Sequence, residues 1–348
     1  MKKRAFFLRI AIMMLFVFAV GNVCAENNSS AETEGSTTGR KKIKILGIGN
    51  SFLANVMNSF PGIVKNAGHE LIVCKAIPGG HSLQMHYDKA MINEENPEDP
   101  KGKPYKYNDK KMSLKEVLVA DKWDYVTIQQ SSPNSYKIET YRPYAKNLCD
   151  YIKKHAPQAE IVLHQTWAWR PDHTRQGMDK KGEWFMYREL TKAYYTIAKE
   201  LGLRIIPVGN AFQLAAESPE WKFERDPNFN YENPKYPELP NEKNSLNGGF
   251  AWRKKGSGDD EAPAEPKKKD LDGDPKDFEF KLDGSHASAA GSYLAGCVWF
   301  EFFYKDDVRK VKRNPGFLKD RAESLREIAH KVVSEGIRPK EWPKEIEP

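Results

Sequence analysis

The chain has 348 residues and a formal net charge of +7, from 55 basic and 48 acidic residues. Four of the basic residues and none of the acidic ones lie in the first 25, so the remainder carries only +3. Nucleic-acid-binding domains concentrate basic residues on one face, and so small an excess argues against such a partner. The remaining length suits one large domain with its own core.

The N-terminus is typical of a secretory signal peptide, which we predict over residues 1–25. A basic start precedes an apolar run from Ile10 to Val20, and small residues then allow cleavage after Ala25. The run is too short to span a membrane. The alternative is a lipoprotein acylated at Cys24, which is disfavoured because Val23 is bulky where a small residue is wanted. We therefore expect a secreted or periplasmic protein with no stable membrane insertion after cleavage.

Residues 26–41 are rich in small polar residues and predict a disordered linker. The folded domain is predicted over residues 42–338, followed by a C-terminal tail at 339–348. Three cysteines follow the cleavage site: Cys74, Cys149 and Cys297. Each lies in an apolar stretch without zinc-ligand spacing, so we expect three buried apolar side chains.

Short apolar strands alternate with helices along the domain. Strands are predicted at 43–48, 70–76, 124–128, 159–164 and 203–208, and helices at 52–66, 112–120, 141–156, 184–201, 287–304 and 318–335. This alternation predicts parallel βαβ units, and strands that are apolar on both faces indicate helices on both sides. We therefore predict an α/β fold, a three-layer α/β/α sandwich around a central parallel sheet of about five strands.

Two polar segments interrupt the pattern. Residues 93–108 are proline-rich and predict a surface loop, and a charged insertion runs over about 223–281. A connection this long without secondary structure is either disordered or functional. We predict disorder for 256–269 and note aromatic residues in the flanks that could rim a pocket.

The first predicted strand ends at a tight Gly-Asn-Ser turn that contains Ser51. The carboxyl end of a parallel strand faces the crevice where open α/β sheets bind ligands, and a helix N-terminus offers free N–H groups to an oxyanion. A serine in this position alone is more often a helix N-cap. The turn is not the Gly-x-Ser-x-Gly elbow of α/β-hydrolases, because Leu53 replaces the second glycine.

An Asp-x-x-His pair, Asp283 and His286, precedes a predicted helix near the end of the domain. A serine hydroxyl needs a base, and a carboxylate must orient that base and stabilise its charged form. In isolation the pair would be a helix N-cap with an exposed histidine. Together with Ser51 on a parallel sheet, it predicts a catalytic triad.

Other polar residues fall at the carboxyl ends of predicted strands. Gly79 and Gly80 follow the second strand, and Gln129 and Gln130 follow the third. With the N–H of Ser51 they could form an oxyanion hole, although a plain turn and a polar strand end explain them equally well. A further stretch, which includes His164 and Trp167, follows the fourth strand and could stack on a sugar ring or pack under a loop.

No metal or cofactor is expected. His81 and His86 have no carboxylate beside them, so their spacing does not indicate a metal site. The acidic residues 270–274 resemble a calcium loop, but Pro275 stands where the turn needs glycine.

These motifs resemble the SGNH (GDSL-type) hydrolase superfamily, which implies an SGNH-hydrolase, flavodoxin-like fold. By this resemblance Ser51 is the nucleophile, Asp283 and His286 complete the triad, and Gly80 donates to the oxyanion. The chain departs from the pattern at Asn50, where an aspartate is usual, and after the third strand, where the superfamily has an asparagine.

In this chain Gln130 would replace that asparagine as the third donor, with Gln129 and Asn134 as alternates. A closer resemblance, over about residues 42–304 without the insertion, is to a bacterial subfamily labelled only as a domain of unknown function. It rests on the Ile-Gly-Asn-Ser-Phe, Gly-Gly-His-Ser-Leu, Thr-Ile-Gln-Gln, Leu-His-Gln-Thr-Trp-Ala-Trp and Asp-Gly-Ser-His stretches.

We therefore expect an exported serine esterase or deacetylase that removes an O-acyl group, such as acetyl, from a carbohydrate. Asn50, Gln129, His164 and Trp167 are expected to contact this substrate. Export and exposed aromatic residues favour an acylated carbohydrate as substrate, an assignment made by analogy. One alternative is a catalytically weak or inactive glycan-binding protein with the same fold, and another is a lipid-active esterase.

Overall fold

The computed structural model describes residues 39–256, 273–312 and 314–346. The predicted signal peptide, residues 26–38 of the predicted linker and residues 257–269 of the segment predicted to be disordered lie outside the described residues.

The fold is built on a parallel sheet. In chain order the strands are β1 (Lys42–Ile48), β2 (Glu70–Ala76), β3 (Tyr105–Tyr107), β4 (Lys110–Met112), β5 (Tyr125–Ile128), β6 (Glu160–His164), β7 (Arg204–Ile206), β8 (Phe250–Lys254) and β9 (Phe278–Leu282). The central sheet has the order β2-β1-β5-β6-β7 with every neighbouring pair parallel. The carboxyl ends of β1, β2, β5 and β6 therefore meet at one edge, where the predicted site residues lie.

Helices flank this sheet. They are α1 (Ser51–Met57), α2 (Phe60–Asn66), α3 (Leu83–Glu95), α4 (Leu114–Val119), α5 (Tyr144–His155), α6 (Phe185–Leu201), α7 (Val208–Ala216), α8 (Ala289–Tyr304) and α9 (Ala322–Val333). Helix α8 packs against α1, α2, α7 and α9, while α3, α4 and α5 pack against one another. The predicted three-layer α/β/α sandwich is confirmed. Within the described residues, no helix combines the length and the apolar character needed to cross a membrane.

The single helix predicted at 52–66 is wrong, because the segment forms two helices. Helix α1 ends at Met57 and α2 begins at Phe60, with Ser59 in the N-cap position. Pro61 explains the break, since within a continuous helix its ring would clash with the carbonyl of Met57 and its missing N–H would remove a hydrogen bond. In the first turn of a new helix proline is well tolerated.

Helices α3 and α7 and the strand pairs β3–β4 and β8–β9 were not predicted from the sequence. The buried face of α3 consists of Leu83, His86, Ala90 and Asn93, two of which are polar, so hydrophobic periodicity does not reveal it. The surface loop predicted at 93–108 therefore includes the end of a helix and strand β3. Within that strand Tyr105 is almost fully buried.

Both ends of the described chain are attached to the domain. Lys41, which falls in the predicted linker, forms an ion pair with Asp306 at 2.5 Å. In the predicted tail, Glu341 pairs with Arg188 at 2.7 Å. The ring of Trp342 lies 4.8 Å from that of Tyr195 on α6.

The three described cysteines are free and buried, which agrees with the expected apolar role. Burial raises the pKa of the Cys74 and Cys149 thiols to about 12 and raises that of Cys297 further. A protonated, buried thiol is a poor nucleophile, so these cysteines serve packing rather than chemistry.

Within the described part of the insertion, β8 and β9 pair as an antiparallel hairpin. Arg170 anchors the segment that precedes this hairpin to the domain. The buried guanidinium of Arg170 makes two hydrogen bonds each to the carboxylates of Asp172 and Glu242. It also stacks on the ring of Phe223 at 4.3 Å. Because Glu242 and Phe223 belong to the insertion and Arg170 follows β6, these contacts hold the two segments together.

Two histidines are buried beneath the carboxyl edge of the sheet. His86 donates from Nε2 to the carbonyl of Gly49 at 3.0 Å and accepts from the Tyr105 hydroxyl at 2.8 Å. His164 donates from Nδ1 to the side-chain oxygen of Gln129 at 3.1 Å. Burial lowers the pKa of both to about 3, and for His86 the nearby His81 adds to the effect. Both rings are therefore neutral in the folded protein at neutral pH.

We expect Arg170→Met to lower the free energy of unfolding by about 3–5 kcal/mol, because it leaves the buried carboxylate of Glu242 without its cationic partner. The matched control is Arg204→Met, whose bidentate partner Glu160 is partly exposed and whose loss should cost at most about 1 kcal/mol. Urea denaturation of both variants measures the difference. Similar small losses in the two would contradict the anchoring role.

Burial of the histidines also predicts a loss of stability in acid. A histidine whose pKa falls on folding binds protons more readily in the unfolded chain, so stability decreases as pH drops from 6.5 towards about 3. His164→Gln keeps a donor for Gln129 and removes one titrating group. We expect its loss of unfolding free energy between pH 7 and pH 5 to be about 2 kcal/mol smaller than that of the wild type in urea denaturation. An equal loss in both proteins would show that His164 is not held neutral.

Candidate active site

Ser51 is the first residue of α1, directly after the carboxyl end of β1. Asn50 caps this helix, since its side-chain oxygen accepts from the N–H of Phe52 at 3.1 Å. A Cβ atom on Gly49 would lie 2.8 Å from the side chain of Gln129, so only glycine fits there. The turn is therefore held in one conformation by a cap and by close packing.

A buried chain of amides fixes Asn50. The side-chain nitrogen of Gln129 donates to the oxygen of Asn50 at 2.9 Å, and Gln129 accepts from His164 at 3.1 Å. The nitrogen of Asn50 in turn donates to the carbonyl of His81 at 2.9 Å. An aspartate could not make this last bond, because a carboxylate only accepts. Asn50 thus ties the turn of Ser51 to the glycine loop after β2.

The side chains of Ser51, His286 and Asp283 form a continuous chain of hydrogen bonds. The Nε2 atom of His286 is 2.8 Å from the Oγ atom of Ser51. Its Nδ1 atom is 3.0 Å from Oδ1 of Asp283 and 3.2 Å from Oδ2. Because the carboxylate only accepts, Nδ1 carries the proton and Nε2 is left to accept from the serine hydroxyl. This is the geometry in which a histidine can act as a base toward serine.

Asp283 remains ionised despite its burial. Burial by itself would raise the pKa of its carboxyl group, but hydrogen bonds and charge from His286, together with the hydroxyl of Ser285, hold it below the ordinary value. The guanidinium of Arg253 lies 3.4 Å from its Oδ2 atom. A charged carboxylate in this position can stabilise a protonated His286.

The segment that carries Asp283 and His286 is anchored to the loop after β6. The backbone N–H of Arg170 donates to the carbonyl of Gly284 at 2.8 Å. The indole N–H of Trp167 donates to the carbonyl of Ser285 at 2.9 Å. Gly284 has a φ angle of 59°, a left-handed conformation that glycine adopts without strain.

A pocket of about 430 Å³ opens beside these groups. Its lining includes Asn50, Ser51, Phe52, Gly80, Ser131, Ser132, Pro133, His173, Arg175, Arg253, Lys281, Leu282, Asp283, Ser285 and His286. Among the described residues, no hydrogen-bond acceptor faces the backbone N–H of Ser51 or of Gly80. Both N–H groups are therefore candidates to bind an oxyanion, as the sequence analysis expected.

The structure does not bring Gln130, the expected third donor, into the pocket. Its side chain is fully buried and donates to the carbonyl and hydroxyl of Thr140 at 3.0 and 3.2 Å. Its oxygen accepts from the backbone of Leu83 and of Ser131. With these bonds made, it cannot donate to a ligand, and the alternates Gln129 and Asn134 do not line the pocket either.

Of the four expected substrate contacts, only Asn50 lines the pocket. Gln129 and His164 are buried beneath it as part of the amide chain. Trp167 is fully buried, with its ring 4.4 Å from that of Phe52 and 4.7 Å from that of Phe212. The expected contacts of Gln129, His164 and Trp167 are thus corrected to supporting roles, because these side chains lie behind the pocket lining and not in it.

Four basic side chains of the pocket, among other lining residues, were not predicted from the sequence: His173, Arg175, Arg253 and Lys281. Arg253 and Lys281 belong to the insertion. Lys281 lies two residues before Asp283, and the pairing of β8 with β9 places Arg253 on the neighbouring strand. The insertion contains 11 basic and 14 acidic residues, so its composition gives no signal of a cationic pocket lining.

One other cluster contains groups that bind metals. Ligand atoms of Glu301, Asp307 and His330 lie within 4.8 Å of one another. The carboxylate of Glu301 already bonds to Nδ1 of His330 at 2.5 Å and to the N–H of Val308 at 3.2 Å. The cluster is therefore satisfied by its own hydrogen bonds, and none of its members lines the pocket of Ser51.

Comparison with solved structures supports the fold. A DUF4886 family protein from Bacteroides uniformis is 23% identical, with a TM-score of 0.61, and the alignment covers 84% of this chain and 95% of that one. At this identity the likeness concerns the fold alone.

Two further structures are more distant. A putative SGNH hydrolase from Slackia heliotrinireducens is 20% identical over 75% of this chain and 98% of that one, with a TM-score of 0.43. A putative GDSL-like lipase from Parabacteroides merdae is 15% identical over 51% and 83%, with a TM-score of 0.33. We draw no conclusion from these two, because their TM-scores are too low.

The sequence matches no curated protein. It does match a family over residues 44–236, a region that contains Ser51 but ends before Asp283 and His286. Since this region is more than half of the chain, the protein belongs to the family described as a domain of unknown function, DUF4886.

Proposed function

We propose that this protein is an exported serine esterase or deacetylase that removes an O-acyl group, such as acetyl, from a carbohydrate. The observation that carries the proposal is the 2.8 Å contact between His286 Nε2 and Ser51 Oγ, with Asp283 bonded to the other ring nitrogen. The basic and apolar N-terminus supports export.

The proposed reaction passes through an acyl-enzyme. The Oγ atom of Ser51 attacks the ester carbonyl while His286 takes the serine proton, and the N–H groups of Ser51 and Gly80 bind the oxyanion. His286 then gives its proton to the leaving alcohol. A water molecule, deprotonated by His286, attacks the acyl-enzyme and releases the carboxylic acid and free Ser51. Asp283 stabilises the charged histidine in both halves.

The lining of the pocket favours a polar substrate over a lipid. Hydroxyls of Ser131, Ser132 and Ser285 and several charged groups line it, whereas its apolar side chains are Phe52, Pro133 and Leu282. A long acyl chain would require a continuous apolar trough. Hydroxyl and charged groups suit the alcohol groups of a sugar, which supports the carbohydrate assignment.

A second candidate is a glycan-binding protein with weak or no turnover. One observation favours it. The side chain of Gln130 points away from the pocket, and Asn50 is then the one side-chain amide in the described lining that could serve as the third oxyanion donor. The nitrogen of Asn50 is bonded to His81. Two backbone donors remain, and the loss of a single donor slows catalysis by about 10²–10³-fold without removing it.

We expect Ser51→Ala and His286→Ala each to lower kcat for p-nitrophenyl acetate by at least about a thousandfold, since either change removes the nucleophile or its base. Ser324→Ala is the matched control, because this serine lies on α9 outside the pocket. Circular dichroism checks that each variant is folded. Unchanged turnover in the first two variants would exclude the triad, and no turnover in the wild type would favour the binding protein.

Acyl-chain preference provides a separate test. With the same p-nitrophenol leaving group, we expect kcat/KM to fall by about tenfold or more from the acetate to the hexanoate ester. The reason is that the polar lining offers little apolar surface against which the longer acyl chain could pack. A steady-state comparison of the two esters measures this. A higher kcat/KM for the hexanoate would favour the lipid-active alternative.

A further inference from the structure

The pocket of Ser51 has an excess of positive charge. Three of its lining residues, Arg175, Arg253 and Lys281, are cationic, while Asp283 is the one carboxylate in the described lining. Asp283 accepts from His286 and Ser285 and also forms an ion pair with Arg253. With three cations against one carboxylate, the described lining carries two more positive than negative charges and so favours an anionic ligand.

Arg175 and Lys281 are placed to reach such a ligand. Arg175 is exposed, its guanidinium lies 5.8 Å from the ring of Trp169, and among the described residues no carboxylate is within 4.0 Å of it. Lys281 pairs with Glu279 at 2.7 Å, but both side chains are partly exposed. An exposed pair of this kind is weak and screened by salt, so it does not prevent Lys281 from binding an anionic ligand.

Arg253 has a different position. Its side chain is 6% exposed, and its guanidinium lies 3.4 Å from Oδ2 of Asp283. It therefore supports the carboxylate that orients His286, while adding positive charge to the pocket. Because its substitution would disturb Asp283 as well as the ligand, it is unsuitable as a test of specificity.

An anionic ligand suits this lining better than a neutral one. Binding removes water from charged groups, and a ligand group of opposite charge recovers more of this cost than a neutral hydroxyl does. An oxyanion supplies them, and hydrogen bonds between a carboxylate and Arg or Lys are among the stronger ones in proteins.

We propose that the substrate is an anionic ester, in which a carboxylate beside the acyl group is bound by Arg175 and Lys281. This inference rests on the proposed function and narrows its substrate class from an acylated carbohydrate to an acylated acidic sugar. The β8–β9 hairpin and the loop after β6 then select the substrate, and the turn of Ser51 performs the chemistry.

The test uses a matched pair of acetyl esters, 4-acetoxybenzoate and its neutral methyl ester. We expect the mature wild-type protein at low salt to favour the anion by about tenfold in kcat/KM, and the ratio to fall as salt is added. Lys281→Gln and Arg175→Gln should each lower the ratio about tenfold, since each removes a charge-assisted hydrogen bond. Lys276→Gln, an exposed change in the same insertion outside the pocket, should keep the wild-type ratio.

Binding separates a failure of this inference from a failure of the proposed function. Calorimetry of the two esters with Ser51→Ala measures affinity without turnover, and the Lys281→Gln change is then added to that background. If Ser51→Ala binds the anionic ester more tightly and Lys281→Gln abolishes this preference, the inference is supported even if the wild type hydrolyses neither ester. Ser51-dependent hydrolysis of both esters at similar kcat/KM overturns it and leaves the esterase proposal in place. Absence of binding, or equal binding of the two esters, also overturns it.

Discussion

The geometry of the pocket depends on the buried amide of Asn50. Its side chain is 2% exposed and makes three hydrogen bonds, to Phe52, Gln129 and His81. Each bond lies in the interior, where a polar group that loses its partner pays the full cost of desolvation. The turn after β1, the loop after β2 and the end of β5 therefore keep one arrangement relative to one another.

The second half of the site comes from a distant part of the chain. His286 follows Ser51 by 235 residues, and its position depends on contacts with the loop after β6. Trp167 is central to this connection, because it packs on Phe52 behind Ser51 and also donates to the carbonyl of Ser285. One aromatic side chain thus couples the position of the serine turn to that of the histidine.

Sequence patterns predicted the five strands of the sheet and the residues that the structure brings together at its edge. They did so because apolar runs and short motifs such as Asp-x-x-His are local. Local patterns do not show which way a side chain points at the end of a strand. Gln129 and Gln130 are adjacent, and the structure directs both into the interior, one toward Asn50 and the other toward Thr140. Arg253 was hidden for a related reason, because it reaches the site through the pairing of β8 with β9, which a local pattern does not show.

The separation of that hairpin from the central sheet allows its charges to change independently of the sheet core. Strands β8 and β9 form a two-stranded sheet of their own. Surface segments of this kind tolerate replacement better than the elements they connect. The electrostatic selectivity of the pocket can thus be altered at Lys281 while the turn of Ser51 keeps its conformation.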